Sequence, residues 1–123
     1  MINSKQPQII RGQILPGQKL GKQIGAHTAN LDLSLAKDLA KGLYSCTVDW
    51  QNQKYPGLLY YGHNSLSQKD CLEVHLLNFS HDIYGQKIGV TIKKFLRHEI
   101  KFNNSEELKN QIKKDLAEAK KLI

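Results

Sequence analysis

The stretch Leu72-Glu73-Val74-His75-Leu76-Leu77-Asn78-Phe79 decides the fold class. Apolar Leu72, Val74 and Leu76 alternate with polar Glu73 and His75. A period of two puts the three apolar side chains on one face of a strand and the two polar ones on the other. The pattern predicts a strand over 72–79 with one face against a core. Downstream, a turn is expected at Asp82–Gly85, and Lys87–Phe95 reads as a long strand rich in β-branched residues. Upstream, Leu43–Val48 and Leu58–Tyr61 read as strands joined by the polar turn Gln51–Lys54. A loop rich in Asn, Ser and Gln is expected over Gly62–Asp70.

The remaining segments extend this plan. Gln8–Leu15 reads as a first strand, stopped by Pro16 and Gly17. Arg97–Phe102 is predicted as a short last strand. Leu31–Lys41 is ambiguous, since Leu31, Leu35 and Leu39 suit a short helix but a loop suits a β domain. Leu108, Ile112, Leu116 and Ala119 recur at helical spacing. Ser105 is the expected cap, Glu106 and Glu107 follow in the first turn, and Lys120 and Lys121 sit near the C-terminus. The expected fold is mainly all-β, with six antiparallel strands closed into a barrel and a C-terminal α-helix.

Composition narrows the function classes. The 123 residues suit one domain, read as 1–123, and 40% hydrophobic residues suffice for one modest core. No run long and apolar enough to span a membrane occurs, and Met1–Gln8 lacks the apolar segment of a secretory signal. A cytoplasmic location is the expectation, with no membrane partner. Cys46 and Cys71 are expected as reduced thiols, and no ligand pattern suggests a structural zinc site. The formal net charge of +7 suits an anionic small substrate or a nucleic acid. Only Arg11 and Arg97 among the 18 basic residues are arginine, and many lysines lie on the predicted helix, which argues against base readout.

Three segments can carry chemistry. Gly17-Gln-Lys-Leu-Gly21-Lys22-Gln-Ile-Gly25 has glycines that let backbone N–H groups approach phosphate, with Lys19 and Lys22 adding charge. Taken alone, a Gly-rich surface turn is the commoner explanation, and it is not a Walker A loop. In His27-Thr28-Ala29-Asn30, two neutral oxygen donors two residues apart in extended chain point to the same side, as suits Mg²⁺. They could instead satisfy turn backbone groups. Glu73 on a rigid strand could take a proton from a substrate hydroxyl, or could belong to an exposed polar face. Arg97 and Glu99 are expected to pair on one side of the last strand.

Taken in order, these segments resemble the riboflavin kinase family from roughly Ile9 to Leu122. The resemblance is carried by the Gly-rich loop and Gly25-Ala26-His27-Thr28-Ala29-Asn30, then Glu73-Val74-His75 leading to Phe79. It continues through Asp82-Ile83-Tyr84-Gly85 and Arg97-His98-Glu99-Ile100-Lys101-Phe102. It ends in the helix with Ser105, Glu107, Leu108, Gln111, Ile112, Asp115 and Ala119. It implies a six-stranded antiparallel Greek-key barrel that transfers the γ-phosphate of ATP to the 5′-hydroxyl of riboflavin, giving FMN and ADP. Glu73 would be the general base, and Thr28 and Asn30 would hold Mg²⁺, with Zn²⁺ or Mn²⁺ as alternatives. Gly17, Gly21 and Lys22 would cover the nucleotide phosphates. Leu76, Asn78 and Tyr84 would contact the nucleotide, and Arg97, Ile100 and Phe102 the flavin.

The resemblance also implies riboflavin/FMN and ATP/ADP as the partners, with no nucleic acid; a monomer is expected. Bacterial relatives commonly carry an adenylyltransferase domain ahead of this one, so a free-standing chain is expected to make FMN but not FAD. In this chain the family's Phe-Pro before Thr-Ala-Asn is Ala26-His27, and in the middle loop only Gly62 keeps the pattern. Those departures motivate a competing reading, a flavin or nucleotide binder without turnover. A basic nucleic-acid-binding barrel is a third.

Overall fold

The computed structural model describes residues 8–15, 27–64, 68–77, 79 and 83–121. The strands are β1 (Gln8–Gln13), β2 (His27–Leu31), β3 (Gly42–Trp50), β4 (Gln53–Asn64), β5 (Lys69–Leu76) and β6 (Lys87–Arg97). An α-helix, α1 (Ser105–Lys120), follows. All pairings are antiparallel, in the order β1-β6-β3-β4-β5-β2. Strands β3, β4 and β5 form a meander, and β2 returns beside β5, which is a Greek key. Two register shifts in the β3–β6 ladder, at Leu43/Tyr44 and Ser45/Cys46, are irregularities of the kind that bend a sheet. The curled sheet brings its two edges together just past β1, where the Leu15 N–H donates to the Asn30 carbonyl at 2.8 Å.

Alternation sorts the side chains into two cores. Ile10, Val48, Leu59, Leu72, Val74, Leu76, Val90 and Ile92 are among those filling the interior. On the outer face, Leu43, Leu58 and Leu77 meet Ile112, Leu116 and Ala119 of α1 in a second cluster. The helix therefore covers the face that carries Glu73 and His75. Lys93, Lys94 and the helix lysines Lys113, Lys114, Lys120 and Lys121 are exposed.

Several expectations need correction. The sixth strand is His27–Leu31, whereas His98–Phe102 is irregular and only Arg97 of that segment belongs to a strand. Extended chain at 27–31 gains a full ladder with β5, which residues 98–102 lack. The turn between β3 and β4 is only Gln51-Asn52, both at positive φ, and the strands extend to meet it. Leu33–Ala36 is a short 3₁₀ turn capped by Asp32, whose side chain accepts from the Ser34 N–H. The cap of α1 is Asn104 rather than Ser105. Its amide oxygen accepts from the Glu107 N–H at 2.9 Å, while Ser105 is already helical.

Cys46 and Cys71 are both free. Burial pushes the Cys46 thiol up to about 12, so it stays protonated. Leu59 is fully buried in the interior. Leu59→Ala is expected to destabilise the fold by about 2–5 kcal/mol, read from the urea midpoint, because the cavity cannot fully collapse. A loss below about 1 kcal/mol would mean that the interior is not close-packed there.

Candidate active site

Register builds the site. Directly opposed residues in an antiparallel pair have Cβ atoms about 4.5–5.5 Å apart on one face. Asn30 on β2 stands opposite Glu73 on β5, and Glu73 stands opposite Tyr60 on β4. Tyr60 faces Leu43 on β3, which faces Arg97 on β6. These five residues form one row across the outer face. A second row runs beside it, with Thr28 opposite His75 and His75 opposite Leu58. Glu73 and Arg97 are three strands apart, roughly 14 Å along a flat sheet.

The polar face of β5 is not an exposed one. The Glu73 side chain is 15% exposed and that of His75 is 7% exposed. The Glu73 Oε1 accepts from Asn64 Nδ2 at 3.0 Å, and its Oε2 lies 3.8 Å from His75 Nε2. On the other side of the ring, His75 Nδ1 is 3.0 Å from the Thr28 hydroxyl, which is itself buried. The Glu73–His75 distance is too long for a direct hydrogen bond. Burial holds the imidazole pKa below its ordinary value, against the pull of Glu73 and Asp115, and Arg97 lowers it further. His75 is therefore neutral. Tyr60 is also held protonated by burial, and its hydroxyl donates to the His63 carbonyl at 2.7 Å.

The far end of the first row is held by the helix. Arg97 does not pair with Glu99. It makes a bidentate pair with Asp115 of α1, Nε to Oδ1 at 3.0 Å and Nη2 to Oδ2 at 2.6 Å, while Nη1 donates to the His98 carbonyl. Gln111 Nε2 also donates to Asp115 Oδ1. Such a planar fork is the strongest geometry open to the two side chains. Glu99 instead accepts from the His63 N–H at 2.9 Å. Gly62 leaves room for that carboxylate, since a Cβ there would stand 2.8 Å from Glu99 Oε2.

The structure thus brings Thr28, Asn30 and Glu73 together on adjacent strands. Leu76 points into the interior core, so only its backbone is available to a ligand. Tyr84 packs at the edge of that core, Ile100 is exposed and Phe102 is half-buried. Gly17, Gly21, Lys22 and Asn78 lie outside the described residues. Asn64 and Tyr60 beside Glu73, and Asp115 beside Arg97, are neighbours that no sequence motif marks. Tyr60 lies within the expected strand Leu58–Tyr61 and needed only the register with β5, whereas Asn64, the last residue of β4, falls in the segment expected as a loop and Asp115 reaches Arg97 from the helix.

A model of the riboflavin kinase (flavokinase) family matches residues 4–123. The chain belongs to the riboflavin kinase family. It is 38% identical over 119 residues to the bifunctional riboflavin kinase/FMN adenylyltransferase of Pseudomonas fluorescens, covering 94% of this chain and 38% of that protein. It spans less than two-fifths of the length of this and similar bifunctional relatives. The crystal structure of a macrolide-efflux protein from Streptococcus pneumoniae superposes with a TM-score of 0.75 at 31% identity, over 94% of this chain and 39% of that one. The riboflavin kinase of Trypanosoma brucei shares the fold, with a TM-score of 0.63 at 20% identity over 95% and 80% of the two chains. Riboflavin kinases are transferases that take ATP as co-substrate with a divalent metal ion.

Two outcomes are expected of this arrangement. Asp115→Ala strands Arg97 on a covered face and should destabilise the fold by about 3 kcal/mol, the low end for stripping a buried charge of its partner. Urea denaturation checks this, and a change below about 0.5 kcal/mol would mean that the pair is only a surface contact. The second concerns pH. The unfolded imidazole takes up its proton near pH 6.5, whereas folded His75 does so only at lower pH. Over that window the unfolded state binds more protons, so stability falls as pH falls. His75→Asn should flatten the stability–pH curve there, and an unchanged slope would contradict the assignment.

Proposed function

We propose that this chain transfers the γ-phosphoryl group of ATP to the 5′-hydroxyl of riboflavin, giving FMN and ADP. The observation that carries this reading is the register that sets Glu73 between Asn30 and Tyr60, with Thr28 in the adjacent row. Glu73 is the general base. Asn64 holds one carboxylate oxygen and the Cys71 thiol also hydrogen-bonds the carboxylate, whose two oxygens offer about four lone-pair sites, enough to accept the hydroxyl proton as well when the substrate oxygen attacks phosphorus. Phosphoryl transfer asks mainly for positioning and charge neutralisation, and a rigid strand supplies the first.

Thr28 and Asn30 would hold the metal. Two neutral oxygen donors side by side suit a hard divalent cation that keeps waters and shares nucleotide phosphates. Among the described residues no three His, Cys, Asp or Glu side chains cluster as a metal cage, so the nucleotide would complete the coordination. Oxygen donors suit a hard cation such as Mg²⁺ or Mn²⁺, with Zn²⁺ the alternative. Bound there, the metal would neutralise charge on the transferring group. Gly17, Gly21 and Lys22 would cover the phosphates, and the Leu76 backbone, Asn78 and Tyr84 would contact the nucleotide. At the other end of the row, Ile100 and Phe102 meet the flavin, and Arg97, held by Asp115, places the segment that carries them. The proposal includes one domain over 1–123, acting as a monomer in the cytoplasm, a compartment that suits two free thiols.

With riboflavin, ATP and Mg²⁺, the protein is expected to form FMN, detected by chromatography. Glu73→Gln should lower kcat by about 10²–10⁴-fold with little change in riboflavin KM. Thr28→Ala should weaken ATP binding chiefly when Mg²⁺ is present. A Glu73→Gln enzyme as fast as wild type would remove Glu73 from the base role.

A further inference from the structure

His75 has no role in the reading above, yet it stands between its two main parts. The ring lies opposite Thr28 on one side and opposite Leu58, which offers no hydrogen bond, on the other. Its side chain is 7% exposed, so solvent cannot readily replace a missing partner. The polar and charged groups about it are the Thr28 hydroxyl, Glu73, Asp115 and Arg97.

A neutral imidazole has one donor and one acceptor nitrogen, and two arrangements are possible. With the proton on Nδ1, the ring would donate to Thr28 and occupy a lone pair of the hydroxyl. The bare Nε2 would then face the Glu73 carboxylate across 3.8 Å, setting two acceptors against each other in a covered site. With the proton on Nε2, that N–H faces Glu73 Oε2. Nδ1 is then free to accept from the Thr28 hydroxyl at 3.0 Å. The second arrangement is the complementary one, and Glu73 selects it.

We propose that His75 is a positioning residue for phosphoryl transfer, held by Glu73 as the Nε2–H tautomer so that its Nδ1 takes the Thr28 hydroxyl proton in a hydrogen bond and turns that oxygen's lone pairs toward the metal. This rests on the reading of Thr28 as a metal ligand and Glu73 as the base. A freely rotating Thr hydroxyl presents hydrogen or lone pair indifferently, whereas one whose hydrogen is committed presents lone pairs alone. His75 thereby ties the metal ligand on β2 to the base on β5 through one ring. Partners of this kind, which orient a ligand without touching the metal, typically change metal affinity by about 10–100-fold when removed.

Two measurements test this. Long-range ¹H–¹⁵N correlation spectra of the ¹⁵N-histidine-labelled wild-type protein, with His75 assigned by its loss in His75→Asn, should show the Nε2-protonated neutral ring. The Nδ1-protonated form would overturn the proposal, and this result needs neither activity nor a variant's stability. Second, His75→Leu should raise the Mg²⁺ needed for half-maximal rate by about 10–100-fold while leaving metal-free ATP binding unchanged. His75→Asn, whose amide oxygen can stand near the former Nδ1, should recover most of that loss. A folded His75→Leu protein with wild-type Mg²⁺ dependence, or an Asn variant no better than Leu, would overturn it. Calorimetry of ADP binding with and without Mg²⁺ repeats the comparison without turnover. Absence of FMN formation by wild type, with that dependence intact, would therefore strike the proposed function and not this role.

Discussion

The pairing of β2 with β5 is the constraint on which the rest depends. A strand has a side-chain period of two, so a slip of one residue would send Thr28 and Asn30 into the core and bring Ala29 outward. Two features guard against this. Ala29 and Leu31 are buried among the interior side chains, which fixes which face of β2 is apolar. The Leu15–Asn30 bridge then ties β2 to the end of β1 at the seam of the curled sheet. The same hydrophobic alternation that closes the core thus aims two oxygen donors and one carboxylate at a common point.

The second constraint is the helix. An outer sheet face bearing Glu73 and His75 would be solvated if left alone, and the carboxylate would be free to turn. Packing of Ile112, Leu116 and Ala119 against Leu43, Leu58 and Leu77 covers part of that face. The Arg97–Asp115 fork holds the helix at the far end of the row. The covered face explains why the His75 pKa is lowered and why one ring nitrogen meets the Thr28 hydroxyl while the other faces the Glu73 carboxylate. A helix that looks like a simple amphipathic terminus is in this way part of the site's construction.

Much of this was legible in the residues. The alternation at Leu72–Leu76 marked strand β5 and put Glu73 and His75 on one side, and the helical spacing from Leu108 to Ala119 marked α1. The order of the family motifs pointed to Thr28, Asn30 and Glu73 together. Less legible was anything set by pairing across distant segments. His27–Leu31 is too short and too polar to announce a strand, and it is one because β5 offers it a ladder. Arg97-His98-Glu99 alternates like a strand but has no edge to join. The partner of Arg97 came from the helix, 18 positions away, where a bidentate carboxylate offers a stronger pair than Glu99 two residues on. Asn104 rather than Ser105 caps α1, a one-residue choice between two good caps that sequence leaves open.

The most direct measurement is a crystal structure of the protein with Mg²⁺, ADP and FMN. The account predicts a Glu73 oxygen within about 2.6–3.2 Å of the phosphate-bearing 5′-oxygen of FMN, with the Thr28 and Asn30 oxygens turned to the metal. A flavin tail that approaches another face of the barrel, with Glu73 out of reach of that oxygen, would contradict it.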